Sequence, residues 1–282
     1  MEFLTKTVPI AMLCFVISSM LAVGLGLTVP EIIAPLRNIK VVIFALLANF
    51  VLMPLVAILI VRILQLDQPL GVALILLGAA SGAPFLPKLA GVAKSNLAFA
   101  VGLMVLLMVL TVAYMPLVLP LLLAGVSVDA LKVARSLLLL MLLPLGVGLV
   151  TRSQWPRVAD RIRPPLNRIS GLSLILLIAL QLITNVRNVI SLFGTRGLLA
   201  TVLFLACGVA IGWVLGGANL EAKGVLSLGT AQRNIAAALL VGGQNFDDPR
   251  VLVMVAVAAV IGLVTLMPLA RFIGGRTVVQ RA

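Results

Sequence analysis

Histidine is absent from the 282-residue sequence, and acids are scarce, with eight Asp and Glu against 21 Lys and Arg. Without an imidazole there is no histidine metal site, no histidine-based nucleophilic triad and no histidine proton relay. The two cysteines, Cys14 and Cys207, both fall inside apolar runs and have no metal-ligand spacing, so they are poor disulfide candidates. Charged residues of both signs amount to 10% of the chain. An average soluble domain carries about a quarter. So few charges cannot cover a soluble protein of this size. That excludes an ordinary cytosolic enzyme, a disordered tail and a secreted disulfide scaffold.

Apolar sequence fills the gap. Hydrophobic residues make up 62% of the chain, and its mean hydropathy is +1.27. A membrane-crossing helix takes about 20 mostly apolar residues. The chain therefore reads as a single membrane domain, residues 1–282, with no room for a second one. A β-barrel would alternate apolar and polar residues, whereas Ser136 to Val150 is nearly unbroken apolar sequence. The predicted fold class is an all-α polytopic membrane protein with about nine crossings.

Nine apolar segments can be marked, at 8–28, 39–63, 69–93, 96–124, 133–150, 166–186, 197–216, 222–243 and 251–273. The first follows a short N-terminus and lacks a small-residue cleavage site, so it is expected to be a retained helix and not a cleaved signal peptide. The longest polar connection, 151–165, ends in Pro164-Pro165 and is expected to be a loop dividing two related halves, about 1–150 and 151–282. Pro54, Pro144 and Pro268 are expected to kink their helices.

The third and eighth segments are interrupted. The third carries Ser81, Gly82, Pro84, Pro87 and Lys88 in mid-run, and the eighth carries Thr230, Gln232, Arg233 and Asn234. Proline and glycine break the helical hydrogen-bond ladder. Backbone freed at membrane depth survives only where protein or water satisfies it. A pair of interrupted segments in corresponding positions of two halves points to the binding site of a secondary transporter.

The charges fall into an equally clear pattern. If loops alternate sides, Lys6, Arg62, Lys132, Arg135, Arg187, Arg196 and Arg250 lie on the side of the N-terminus. Arg37, Lys40, Lys94, Arg152, Arg157, Arg161, Arg163, Arg168, Lys223, Arg271, Arg276 and Arg281 lie on the other. The richer side is cytoplasmic. The expectation is an integral protein of the plasma (inner) membrane with its N-terminus outside and its C-terminus inside. The basic loops then read as topology signals and not as a nucleic-acid surface. All eight acids fall outside the apolar cores, so no intramembrane carboxylate is available for a coupling cation or for catalysis. No catalytic residue and no metal-ligand set is assigned.

Lys88 and Arg233 are the two charges deep in segments, each within an interruption. A cation there needs a cavity and a partner: backbone carbonyl, water or an anionic substrate. Lys88 could also snorkel to the interface. Gln232, Asn234 and Asn49 offer amide groups for a ligand or for helix–helix hydrogen bonds. The candidate substrate-binding residues are Asn49, Ser81, Gly82, Pro84, Pro87, Lys88, Thr230, Gln232, Arg233 and Asn234. The expected partners are the lipid bilayer and a small organic anion, with no nucleic acid.

Several stretches resemble the bile acid:sodium symporter family. They are Leu21-Ala22-Val23-Gly24-Leu25-Gly26-Leu27-Thr28, Leu47-Ala48-Asn49-Phe50-Val51-Leu52-Met53-Pro54-Leu55, the run from Leu77 to Ala98, and Gly229-Thr230-Ala231-Gln232-Arg233-Asn234-Ile235-Ala236-Ala237-Ala238. The resemblance is to a divergent, bacterial-type member. It implies an inverted-repeat fold with core and panel domains, two broken helices that cross near the membrane centre, and transport of organic anions such as bile acids, steroid sulfates or small carboxylates. It also implies sodium as the driving ion, but the sodium ligands are largely replaced. Leu86-Pro87 stands where the family has Ser-Asn, Leu228 where it has Glu, and Gly102 to Met108 lacks the hydroxyls of the family's next helix. Only Asn49 and Gln232 match, against the roughly six oxygens a hard cation prefers. No cofactor is expected, and the fixed cations Lys88 and Arg233 are expected to stand in for sodium. Related permeases of the auxin-efflux or arsenite type resemble the same crossover plan, although an arsenite carrier would place a Cys in a crossover. A non-transporting sensor with a decayed carrier fold is the alternative from another class.

Overall fold

The computed structural model describes residues 2–33, 37–123 and 128–281. Met1 and the predicted end of the fourth segment at Ala124 lie outside them. The described residues form helices and no strand: α1 Glu2–Leu25, α2 Val29–Ile33, α3 Ile39–Leu64, α4 Gln68–Ala79, α5 Leu86–Val92, α6 Leu97–Leu122, α7 Ala130–Gln154, α8 Pro156–Thr184, α9 Val186–Gly194, α10 Gly197–Leu215, α11 Leu220–Ala231, α12 Ile235–Asn245 and α13 Pro249–Arg281. Seven of them, α1, α3, α6, α7, α8, α10 and α13, are long and apolar enough to cross a membrane. The protein is an all-α polytopic membrane protein. Its outward faces are apolar, with Leu117, Leu121, Leu172 and Val214 all exposed, as a lipid solvent permits.

The two interrupted segments are pairs of half-helices, α4 with α5 and α11 with α12. Short polar residues start many of the helices. Asn38, Asn96, Asp129, Asn219 and Asn234 each accept a backbone N–H from the first turn of the helix that follows. Such caps satisfy donors that have no partner inside the helix.

The predicted loop over 151–165 is not a loop. α7 continues to Gln154, and α8 starts at Pro156 and carries Pro164 and Pro165 within it. Only Trp155, at φ −133° and ψ 69°, breaks the run. Polarity alone suggested a loop, but Arg, Asp and Ala are compatible with a solvated helix, and Pro156 fits the first turn, where its missing N–H costs nothing.

Small residues set how closely the helices pack. α1 lies against α7 and α8. A Cβ on Gly24 would come within 2.3 Å of the Leu145 carbonyl, and one on Gly148 within 2.6 Å of the Leu21 carbonyl. α10 follows α11 in the same way through Gly208, Gly212 and Gly216, spaced every fourth residue. This is how membrane helices gain contact without a hydrophobic driving force.

Pro54 and Pro144 each come just after a π-turn, Ala48–Leu52 in α3 and Leu138–Leu142 in α7. In α3 the Met53 N–H reaches back to the Ala48 carbonyl. Pro54 has no N–H for the Phe50 carbonyl one turn back. The hydroxyl of Tyr114, the single tyrosine, donates to that carbonyl at 2.6 Å, and its ring packs on Phe50 at 4.8 Å. Tyr114→Phe keeps the ring and removes the donor. It is expected to cost about 1–2 kcal/mol, visible as a lower Tm in detergent. An unchanged Tm would show that the carbonyl needs no partner.

Candidate functional site

The site grows out of the two helix breaks. In the first, α4 stops at Ala79 and residues 80–85 lie outside any helix before α5 begins at Leu86. Pro84 cannot supply the N–H that the Ala80 carbonyl would take one turn on. The Asn234 backbone N–H of the second break donates to it instead, at 3.0 Å. Gly82 has φ +78°, a left-handed conformation that other residues rarely adopt. Its carbonyl accepts from the Asn234 side-chain amide at 3.2 Å. The two breaks thus satisfy one another.

Arg233 completes the junction. Its Nε donates to the Leu77 carbonyl at 2.7 Å and Nη2 to the Gly78 carbonyl at 2.6 Å. Nη1 donates to Asn49 Oδ1 at 2.8 Å and to the Thr230 carbonyl at 3.1 Å. Leu77 and Gly78 belong to the last turn of α4, where carbonyls have no partner inside the helix.

Asn49 sits in the π-turn of α3, which turns it toward the junction. It also accepts the Ser81 hydroxyl at 2.8 Å and donates to the Ala45 carbonyl at 2.9 Å. On the far side of the break, Thr111 of α6 bonds both the N–H and the carbonyl of Ser81, at 3.0 and 3.1 Å. π-turns often mark functional positions because they re-aim one side chain.

A cavity of about 700 Å³ lies beside this junction. One wall is Phe15, Ser19 and Val23 of α1 with Asn167, Ser170, Leu174 and Ile178 of α8. The facing wall is Ala83 to Phe85, Lys88, Gln232, Arg233 and the first turn of α12, Ile235 and Ala236. Thr201 and Phe204 of α10 and residues of α13 around Gly262 close it.

Four sequence-predicted residues line the cavity: Pro84, Lys88, Gln232 and Arg233. Asn49, Ser81, Gly82, Thr230 and Asn234 are buried behind its wall, where they bond the breaks together. Pro87 belongs to the opening turn of α5 and is absent from the lining. Lys88 is exposed, with its ammonium 5.1 Å from the Phe85 ring centre. It is a cation at the cavity surface, not a deeply buried one. Gln232 Oε1 is buried without a hydrogen-bond partner among the described residues.

Sequence reasoning missed Thr111, Tyr114 and the α8 wall. Gly102 to Met108 does lack hydroxyls, but the hydroxyl that meets the break comes three residues later, at Thr111. A lone polar residue in an apolar run was its only signal.

Comparison with known proteins gives a consistent pattern. The model of the Sodium Bile acid symporter family matches residues 12–192, a stretch that contains the first break and ends before the second. A probable sodium/metabolite cotransporter, BASS6, chloroplastic, from Arabidopsis thaliana is 26% identical over 255 residues, covering 86% of this chain and 62% of the relative. A probable sodium/metabolite cotransporter, BASS2, chloroplastic, from Oryza sativa subsp. japonica is 28% identical over 246 residues, covering 86% and 58%. The chain spans about three fifths of the length of these curated relatives.

Proposed function

The chain belongs to the sodium bile acid symporter family, and from that premise we propose that it is a secondary carrier of a small organic anion, working by alternating access around the cavity beside the broken helices. Charge carries this reading. Among the described residues, the ionisable side chains lining the cavity are Lys88 and Arg233, both cations, with no acid among them. Its volume of about 700 Å³ falls within the usual range of ligand pockets. Phe15, Leu174, Ile178 and Phe204 offer an apolar wall for a carbon skeleton. Lys88, Gln232 and the positive N-terminal end of α12 offer a carboxylate or sulfate its partners.

The same reading takes each pair of half-helices as one crossing, which makes nine, and relates the two halves as an inverted repeat. The N-terminus lies outside and the C-terminus in the cytoplasm, by the loop charges.

The relatives' names pair sodium with a metabolite. The residues here fit an anionic metabolite better than sodium. The Asn49 oxygen already accepts from Ser81 and Arg233, and positions 86, 87 and 228 carry Leu, Pro and Leu. Among the described residues no three His, Cys, Asp or Glu side chains cluster as cation ligands. Transport therefore proceeds by uniport, by exchange or on another ion.

The test begins with a thermal-shift screen of small carboxylates and sulfates, since a bound ligand raises Tm. Uptake of those that bind is then measured in proteoliposomes. The expected rate is the same with and without an inward sodium gradient. Lys88→Gln is expected to raise KM about tenfold, the equivalent of about 1.4 kcal/mol, with Tm unchanged because the side chain is exposed. Strong sodium dependence would overturn the coupling, and binding without any flux would favour the sensor.

A further inference from the structure

Arg233 is a buried cation that no acid neutralises among the described residues. It is 3% exposed, and among the described residues its hydrogen bonds run to oxygens of neutral groups. Three of those oxygens are backbone carbonyls in the last turns of α4 and α11. A helix C-terminus carries roughly half a negative charge. Two such ends converge here, and the Asn49 oxygen, carried inward by the π-turn, completes the shell. The result is a cage of four oxygens at 2.6–3.1 Å from one guanidinium.

We propose that this cage is a cation site filled by the protein's own side chain. The guanidinium of Arg233 is a tethered cation that locks the two broken helices together, and the junction needs no dissolved ion to hold. An arginine has five N–H donors, and the cage takes four of them. Arg233 is therefore a positioning residue, not the direct partner of a transported anion. Its edge lines the cavity, but its donors point into the cage. This inference does not depend on which molecule is carried, or on whether any is.

Two consequences separate this role from plain packing. First, the vacated cage should bind a free cation. Second, filling the volume without donors should not replace the arginine, because the Leu77 and Gly78 carbonyls would then be buried unpaired.

The experiment reads Tm on the full chain in detergent. The native protein is expected to have the same Tm in sodium chloride and choline chloride. Arg233→Ala is expected to melt lower and to recover about 3 °C once guanidinium chloride, at millimolar concentration, exceeds its Kd about tenfold. Equal urea or choline chloride is expected to give no recovery. Recovery in sodium or potassium chloride as well would support the same cage. Recovery with none of the three cations would overturn the proposal, as would a native protein that sodium stabilises. Arg233→Lys and Arg233→Met cover the case in which the alanine variant does not fold. Lysine keeps a cation and is expected to melt higher than methionine, which fills the space with no donor. Equal loss in the two would overturn it.

Discussion

Gly82→Ala is expected to destabilise the protein by about 3 kcal/mol or more and to abolish uptake. The backbone at Gly82 is left-handed, at φ +78°, which costs a residue with a Cβ about 1–2 kcal/mol. The larger problem is space. A Cβ there would sit 2.2 Å from the Met108 backbone nitrogen and 2.5 Å from its Cα. Backbone of α6 cannot turn aside like a flexible side chain, so the break itself must shift. Overpacking of this kind adds about 1–3 kcal/mol. The shift also pulls the Gly82 carbonyl away from Asn234 and the Ser81 backbone away from Thr111, and so loosens both ends of the junction. Gly91→Ala is the matched control. Gly91 lies in α5 with nothing within 4 Å of an added Cβ, so alanine there is expected to be neutral or to stabilise by up to about 1 kcal/mol. Comparing the two Tm values in detergent decides the matter. Equal behaviour at 82 and 91 would mean that α6 yields.

Asn49→Leu is expected to cost about 3 kcal/mol and to remove transport without changing the cavity lining. One side-chain oxygen at position 49 accepts from both Arg233 and Ser81, while the amide reaches the Ala45 carbonyl and, at 3.4 Å, the Thr230 hydroxyl. Leucine fills the same space with no acceptor. A guanidinium N–H and a hydroxyl are then left unpaired in a buried site, and a lost bond to a charged group costs about 1.5–3 kcal/mol. Asn49→Asp keeps an acceptor for both bonds, loses the amide donor and adds a charge opposite Arg233. It is expected to retain more of the native Tm than Asn49→Leu. The reverse order would show that Asn49 acts through its amide donor alone.

Both predictions concern residues that the sequence singled out, but in roles it could not assign. The interruptions stood out because Ser81, Gly82, Pro84 and Pro87, and then Gln232, Arg233 and Asn234, break long apolar runs. Only a few residue types do that in a membrane segment. The burial of Arg233 was legible too, since it lies far from either end of its segment and so cannot easily reach the interface. Its partners were not. Leu77 and Gly78 take part through their carbonyls, which every residue possesses and no sequence pattern marks. Lys88 lay only a few residues from the end of its segment, so the sequence left open whether it sits in the break or reaches the interface. In the structure the break places it on the first turn of α5, exposed and facing the cavity. The stretch 151–165 misled in the other direction, because charge and paired prolines suggest a loop wherever helix geometry cannot be seen.

The sequence alone determined that this is a membrane protein of apolar helices, that two of its segments are interrupted, and that its buried charge is cationic. Composition and spacing suffice there, because the hydrocarbon core tolerates few alternatives. The tertiary structure alone decided which candidates face a cavity and which hold the breaks together. Those choices depend on where α6, α8 and the π-turn of α3 lie against two half-helices from distant parts of the chain. Eight acids, all outside the apolar runs, said that no carboxylate would neutralise Arg233 at depth. Only the folded chain showed that backbone carbonyls and the Asn49 oxygen solvate it instead, because two helix ends with unpaired carbonyls meet at that one side chain.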